Sequence, residues 1–414
     1  MWKVIYNILT YMAFPVLLLY GLTNRKIRKN LWERLSATTQ GMGLKDALWV
    51  HAASVGEAAL AATVIDYMRK NTTVQSFIIT TNTYYTKDML RTKFGTSIPI
   101  FALPFDLSYL VKRFVADTRF RALVIIETEI WPNLIWQAAK HHIPVIIANG
   151  RISDGTLTAY RKLSPFLRTV LSDVNHVAAQ SEEHRKRFIS IGLDPDKITT
   201  TGNIKYWQKA ADEWRETTKD NVITFGSIKE KELDIILPLI ISLKTQLKDT
   251  LIYIAPRELH LTTTIETELS RHLRVQRFSA RKKGAEEACD VVLVDTMGDL
   301  LGIYQKSRVA FVGGSLAPYG GQNILEPLFF GTPVVFGPHM GNFRDIADIV
   351  LQNKAGVMVS TEKELRSAME NILANPSLQR DMGKAGRTVI QQQQDVMKKT
   401  VDVIVKTIGR ANRL

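Results

Sequence analysis

From Ala47 onward the chain alternates between short runs of consecutive apolar residues and longer stretches in which apolar positions recur every three or four residues. The short runs predict strands over 48–51, 77–80, 123–126, 145–148 and 176–179, and the longer ones predict helices between them, among them 57–69, 134–140 and 182–191. Unbroken apolar runs fit strands covered on both faces, and strands separated by helices fit a parallel sheet. The alternation stops in the polar stretch 208–219 and resumes with strands over 222–225, 251–255, 291–294, 309–312, 333–336 and 357–359. The expected architecture is α/β: two Rossmann-like, doubly wound domains at 24–207 and 220–392, with 208–219 as linker. Ligands bind such sheets at the carboxyl ends of their strands, so a cleft between two such edges is the expected site. Residues 393–414 read as a basic helix able to pack back across the first domain.

The first 23 residues break this pattern. Residues 4–22 are mostly apolar, with no charge between Lys3 and Arg25. About 20 helical residues reach roughly 30 Å, the thickness of a bilayer core. Asn7, Thr10 and Pro15 weaken the segment as a deep span. The cluster Arg25, Lys26, Arg28 and Lys29 follows it, and a cleaved signal would carry its charge first and end on small residues. Residues 1–23 are therefore expected to be a retained membrane-anchor helix, with the body of the protein on the cytoplasmic side. The alternative is a buried amphipathic helix of the first domain, and the sequence leaves open whether an anchor spans the bilayer or lies in its interface.

Lys and Arg outnumber Asp and Glu by 54 to 40 in the 414 residues, a net charge of +14. Such an excess suits nucleic acid, an anionic membrane surface or an acidic substrate. The one cysteine, Cys289, rules out an internal disulfide and has no base beside it in sequence, so it is taken as structural.

Several motifs sit where strands hand over to helices. In His51-Ala52-Ala53-Ser54-Val55-Gly56-Glu57, Ser54 is a candidate N-cap and Glu57, three residues on, would close a capping box. The same carboxylate, facing a cleft, is a candidate acceptor for the proton of a substrate hydroxyl. Glu127-Thr128-Glu129-Ile130-Trp131-Pro132-Asn133 follows another strand, with Pro132 suited to the first helical position. In an extended chain Glu127 and Glu129 would point oppositely and could not share one site. Gly202-Asn203-Ile204-Lys205 ends the first domain, where Lys205 offers a point charge to a phosphate.

The second domain is marked by glycines: Phe225-Gly226-Ser227, Val312-Gly313-Gly314-Ser315, and Gly320-Gly321-Gln322-Asn323 before Ile324-Leu325-Glu326. Glycines admit a phosphate close to the backbone, and helix N-termini donate N–H groups to it, although none of these matches a P-loop. Pro256-Arg257 places a guanidinium after a strand, where it can fork onto a phosphate. Asp194-Pro195-Asp196 reads as a polar turn and not as a metal-binding D-x-D, and no Cys/His cluster has metal-ligand spacing, so no metal is expected.

In combination these blocks resemble the 3-deoxy-D-manno-octulosonic acid (Kdo) transferases of lipopolysaccharide assembly. The resemblance runs through HAASVGE, ETEIWPN, ANGRIS (148–153), AAQSEE (178–183), TGNIK, Pro256-Arg257, DTMGDL (295–300), FVGGSL, GGQNILEP and GPHMGNF (337–343), nearly the whole chain. It implies a GT-B fold, with the acceptor on the anchored domain and CMP-Kdo on the second. It implies inverting transfer of Kdo from CMP-Kdo to a lipid A precursor, lipid IVA, on the cytoplasmic face of the inner membrane. The partners implied are that donor, that acceptor and anionic lipids, without nucleic acid, metal or other cofactor. Glu57 matches the family's proton acceptor, and Glu127 and Lys205 match its transition-state-stabilising positions. Pro256, Arg257, Met297, Gly298, Asp299, Asn323, Ile324, Leu325 and Glu326 match its CMP-binding positions. Asp299 stands where the family usually has Glu, and Gln322 where it usually has His, which bears on donor affinity. The implied mechanism requires the Glu57 carboxyl to lie open and not to be tied up in its own helix end. The alternatives are a GT-B transferase using a UDP- or GDP-sugar, and a non-catalytic peripheral membrane protein.

Overall fold

The computed structural model describes residues 1–39, 46–116, 118–207, 219–282, 284 and 287–411. The chain divides into two compact units, Met1–Trp207 with Asp395–Leu414, and Gln208–Gln394.

The first unit is built on a seven-stranded parallel sheet in the order β3-β2-β1-β4-β5-β6-β7. These strands are β1 (Leu48–His51), β2 (Phe77–Thr81), β3 (Ile100–Ala102), β4 (Ala122–Ile126), β5 (Val145–Gly150), β6 (His176–Ala179) and β7 (Ile198–Thr200). Alternate residues of one strand feed opposite cores, as the two-residue side-chain period requires. Trp49, Leu123, Ile125 and Ile147 pack on one face with α5 (Ser108–Val115), α6 (Pro132–Lys140) and α8 (Ser164–Leu171). Leu48, Val50, Val124 and Ile146 pack on the other with α3 (Val55–Asn71), α4 (Tyr84–Phe94) and the end of α17 (Pro376–Ala411). Val396, Met397, Val401 and Ile404 of α17 belong to that second core. Gly202, at φ +100°, lets the loop after β7 meet this helix, because a Cβ there would stand 2.4 Å from Val396 Cγ2.

The N-terminal helix α1 (Trp2–Thr23) is docked along one stripe and bare along the rest. Trp2, Tyr6 and Phe14 fall on one helical face. Tyr6 lies 5.5 Å from Phe166 and 5.7 Å from Trp136 between ring centroids, Phe14 lies 5.6 Å from Phe105, and the Tyr6 hydroxyl donates to Asp106 at 2.8 Å. Lys3 pairs with Asp173 at 3.2 Å. Val4, Ile8, Leu9, Met12, Val16, Leu17 and Leu19 are exposed. The alternative of a buried amphipathic helix of the first domain is met only along this one stripe, and the rest of the helix is bare. A second helix, α2 (Arg25–Ser36), follows, and its Glu33 accepts from the Ala102 N–H at 2.9 Å and pairs with Lys87.

The second unit repeats the plan with the order β10-β11-β9-β8-β12-β13-β14. Its strands are β8 (Val222–Ile228), β9 (Leu251–Pro256), β10 (Val275–Arg277), β11 (Val291–Leu293), β12 (Val309–Val312), β13 (Val334–Phe336) and β14 (Gly356–Met358). Phe225, Ile254, Leu293 and Phe311 form its main core with α10 (Leu233–Gln246), α11 (Thr262–Ser270) and α16 (Glu362–Ala374).

Of the expected linker, 208–218 lies outside the described residues. Its last residue, Lys219, is held by the second unit. The Lys219 ammonium donates to the carbonyls of Gln305 and Phe330, both at 2.9 Å, and to Thr332 Oγ1 at 2.7 Å. Burial pulls its pKa down to about 8, and the residue is half-buried.

Candidate active site

In the first unit the carboxyl edge of the sheet collects the polar residues. Ser54 caps α3, and its hydroxyl accepts from the Glu57 N–H at 3.3 Å. The carboxylate returns the contact: Oε1 accepts from Ser54 Oγ at 2.8 Å and Oε2 from the Ala53 N–H at 2.7 Å. Ser54 and Glu57 thus cap α3 reciprocally, with the carboxylate on the Ala53 N–H one residue before the N-cap and not on the N–H of Ser54 as a capping box would have it, and the expectation of a Glu57 carboxyl independent of its helix end is corrected. The side chain remains half-exposed. A carboxylate offers about four acceptor positions, of which the cap uses two.

Glu127 follows β4, donating its N–H to the Ala148 carbonyl at 2.8 Å. Its φ of +61° is rare for a residue with a side chain. The expectation that Glu127 and Glu129 point to opposite sides assumed an extended chain, and this left-handed turn removes that premise. Burial raises the Glu127 pKa; Arg151 opposes the rise, Glu57 adds to it, and Lys205 lowers it. Of the three predicted catalytic residues, Glu127 thus feels the charges of both Glu57 and Lys205. Glu129 is raised as well, by burial first and by Glu57 next, and its carboxylate accepts from Trp131 Nε1 at 2.8 Å.

A chain of amides positions Lys205. Asn149 Oδ1 accepts from the Ile204 N–H at 3.0 Å, Gln180 Nε2 donates to the Asn149 carbonyl at 3.1 Å, and Asn203 Nδ2 donates to Gln180 Oε1 at 3.2 Å. Asn203 Oδ1 accepts from the Lys205 N–H at 3.0 Å. Asn149 has φ +61° and sits at a register shift at the end of β5. Such a bulge re-aims a side chain, here onto the Lys205 turn.

Beneath the same edge, His51 is fully buried, with Nδ1 against the Thr80 carbonyl at 3.1 Å and Thr80 Oγ1 at 3.0 Å. Burial pulls its pKa down to about 4, so the ring is neutral. It is a core histidine.

In the second unit, Pro256 ends β9 buried, and Arg257 follows exposed, its N–H donating to the Ile228 carbonyl at 2.8 Å. Burial raises the Glu326 pKa, and Asn323 and then the charge of Arg257 lower it. Met297 and Gly298 are exposed. Asp299 Oδ1 accepts from Lys282 Nζ at 2.7 Å, and Oδ2 accepts from the Thr296 hydroxyl. Those two bonds hold its pKa below the usual carboxylate value. Lys282 was missed from sequence, being 17 residues from its partner. Ile324 and Leu325 have fully buried side chains, so among predicted nucleotide contacts they have only backbone to offer. Even there the Leu325 N–H is spent on Asn323 Oδ1, at 3.1 Å.

The glycine loop after β12 departs most from expectation. Its Gly314, Ser315 and Leu316 N–H groups all donate to the carboxylate of Glu232, at 2.7, 2.9 and 2.9 Å. The nest assigned to a phosphate is filled by the protein's own anion, so these amides are not a phosphate site. Among the described residues no three His, Cys, Asp or Glu side chains gather as a metal site would.

Residues 29–208 match the family model described as 3-Deoxy-D-manno-octulosonic-acid transferase (kdotransferase). The 3-deoxy-D-manno-octulosonic acid transferase of Chlamydophila psittaci is 31% identical over 76% of this chain and 74% of its own length. The chain belongs to the Kdo transferase family. The transferase of the same description from Haemophilus influenzae extends the likeness to 99% of this chain and 100% of its own, at 29% identity. A glycosyltransferase from Rickettsia africae shares the fold over 88% of this chain and 98% of its own, with TM-score 0.54 and 13% identity. The protein is thus a glycosyltransferase of the GT-B type. The stretch matched by the family model contains Glu57, Glu127 and Lys205.

Proposed function

We propose that the chain transfers Kdo from CMP-Kdo to a lipid A precursor, lipid IVA, with inversion and without a metal, at the cytoplasmic face of the inner membrane. The observation that carries this reading is the grouping of Glu57, Glu127 and Lys205 at one sheet edge of a Kdo transferase family member. An acceptor hydroxyl oxygen forms its bond to the anomeric carbon of Kdo while that carbon's bond to the CMP phosphate oxygen breaks. The bonding pair leaves on the phosphate and the hydroxyl proton passes to Glu57. The helix cap holds this carboxylate in one orientation and leaves acceptor capacity for that proton. Glu127 and Lys205 set the charge around the reacting oxygen, and Arg257 meets the phosphate.

Membrane attachment falls to α1. Its docked stripe and its Lys3–Asp173 pair favour a helix lying along the leaflet over one crossing it, because crossing would carry Lys3 away from Asp173. The exposed aliphatic face then enters the acyl boundary beside Arg28 and Lys29, and the exposed Trp32 and Tyr109 suit the headgroup layer.

Incubation with CMP-Kdo and a tetra-acylated lipid A precursor in EDTA, followed by mass spectrometry, tests the reading. Product carrying Kdo is expected. Product from a UDP- or GDP-sugar with none from CMP-Kdo would replace the donor, and no product from any donor would favour a non-catalytic role.

A further inference from the structure

Glu232 is fully buried, and its carboxylate is bound by backbone amides alone. Oε2 accepts from the Lys229 N–H at 3.0 Å and the Gly314 N–H at 2.7 Å; Oε1 accepts from Ser315 and Leu316, both at 2.9 Å. A buried carboxylate is costly unless it is fully hydrogen-bonded. Here one side chain therefore locks the loop after β8 to the loop after β12, more than 80 residues away.

Both loops lead to residues of the donor site. On one side, Ser227 at φ +58° forms a register shift at the end of β8, and the Ile228 carbonyl accepts from the Arg257 N–H at 2.8 Å. On the other, the Gly314 carbonyl accepts from the Gly321 N–H at 2.7 Å, at the start of the turn that carries Gln322 and Asn323 into α14 (Leu325–Phe329). A Cβ on Gly313 would lie 2.8 Å from Glu232 Oε2 and 2.8 Å from the Ser227 carbonyl, so the glycine is what lets the clasp close. Ser315 ties the same loop to Gly337, whose N–H donates to Ser315 Oγ at 2.8 Å.

We propose that Glu232 is a positioning residue for the nucleotide-sugar donor: its carboxylate fixes the relative placement of Arg257 and of the Gln322–Glu326 segment, which rests on the donor reading above. It touches no donor atom, and it acts by occupying a nest that would otherwise be free to relax or to take up an anion. Loss of the charge frees the two loops from each other. Donor affinity then falls, while the acceptor, bound through the first unit, is unaffected.

The test compares full-length Glu232→Gln with Glu364→Gln in CMP titration calorimetry, steady-state kinetics and thermal unfolding. Glu364 performs an ordinary cap at α16, accepting from the Ser360 N–H at 2.7 Å, and contacts no donor residue. Both variants lose stability. Only Glu232→Gln weakens CMP binding and raises the KM for CMP-Kdo, by about tenfold or more, with the acceptor KM unchanged. If Glu232→Gln unfolds, Glu232→Asp, which keeps the charge on a shorter arm, takes its place and shows the same split in smaller measure. A folded variant that binds CMP as tightly as the parent overturns the proposal, as does failure of both substitutions to fold, which would make Glu232 a core residue only. A parent enzyme that binds no CMP would instead overturn the donor reading.

Discussion

Ser54 and Glu57 hold each other reciprocally: the Ser54 hydroxyl donates to Glu57 Oε1 at 2.8 Å and accepts from the Glu57 N–H at 3.3 Å. The pair ends a helix and also aims the carboxylate assigned to proton transfer. These roles separate under mutation. Ser54→Ala is expected to lower stability by about 1 kcal/mol, as for other lost N-caps, and to lower kcat on the order of tenfold because the base is no longer held. Thermal unfolding and steady-state rates measure the two effects; a stability loss with unchanged kcat would make Ser54 a cap alone.

His51 predicts a pH dependence of folding. Burial holds its folded pKa near 4, against about 6.5 in an unfolded chain. Between those values the unfolded chain binds a proton that the folded chain refuses. Stability is therefore complete above about pH 6.5 and falls as pH drops toward 4, by up to ~3 kcal/mol. Urea midpoints at pH 7 and pH 4.5 should show the loss, and His51→Gln should flatten it. An equal loss in the variant would assign it to other groups.

How far the sequence could be read depended on how local the determining contacts are. Leu48–His51, His176–Ala179 and Val309–Val312 were predicted at their observed bounds, because each is an apolar run between clear turn signals. Ile100–Ala102, Ile198–Thr200 and Val275–Arg277 were missed: each is three residues long, lies at a sheet edge and leaves side chains partly exposed. The Ser54–Glu57 cap was legible because both partners lie within four residues, although the carboxylate's backbone donor is Ala53 and not Ser54. Glu232 has the same spacing from Lys229, yet three of its four donors come from a loop 82 to 84 residues on, and no local pattern announces that. The positive φ at Glu127 was equally hidden, since a non-glycine residue there is held by its surroundings and not by its own preference.

The proposed donor predicts which nucleotide binds, and Arg257 predicts how tightly its phosphate is held. CMP should raise the unfolding temperature, UDP should not, and Arg257→Ala should weaken CMP by roughly 10- to 100-fold, the range for a charge-assisted hydrogen bond. Protection by UDP with none by CMP would reject the donor assignment.

The orientation of α1 is tested by cross-linking in membranes. With Cys289→Ser as background, Lys3→Cys and Asp173→Cys should be joined within one chain by a short bismaleimide while the enzyme is bound to anionic vesicles, since the native side chains meet at 3.2 Å. A helix that crosses the bilayer would place position 3 at the far surface and give no intramolecular product.

Proton acceptance by Glu57 is the central step of the proposed transfer, and single-turnover transfer by Glu57→Gln measures it most directly. The substituted amide keeps the shape of the cap but has no basic oxygen pair. The predicted result is a transfer step slowed about 10²- to 10⁴-fold, with CMP binding within about twofold of the parent and the fold retained. Transfer at near the parental rate in a folded, CMP-binding variant would contradict it and move the search for the base to another group.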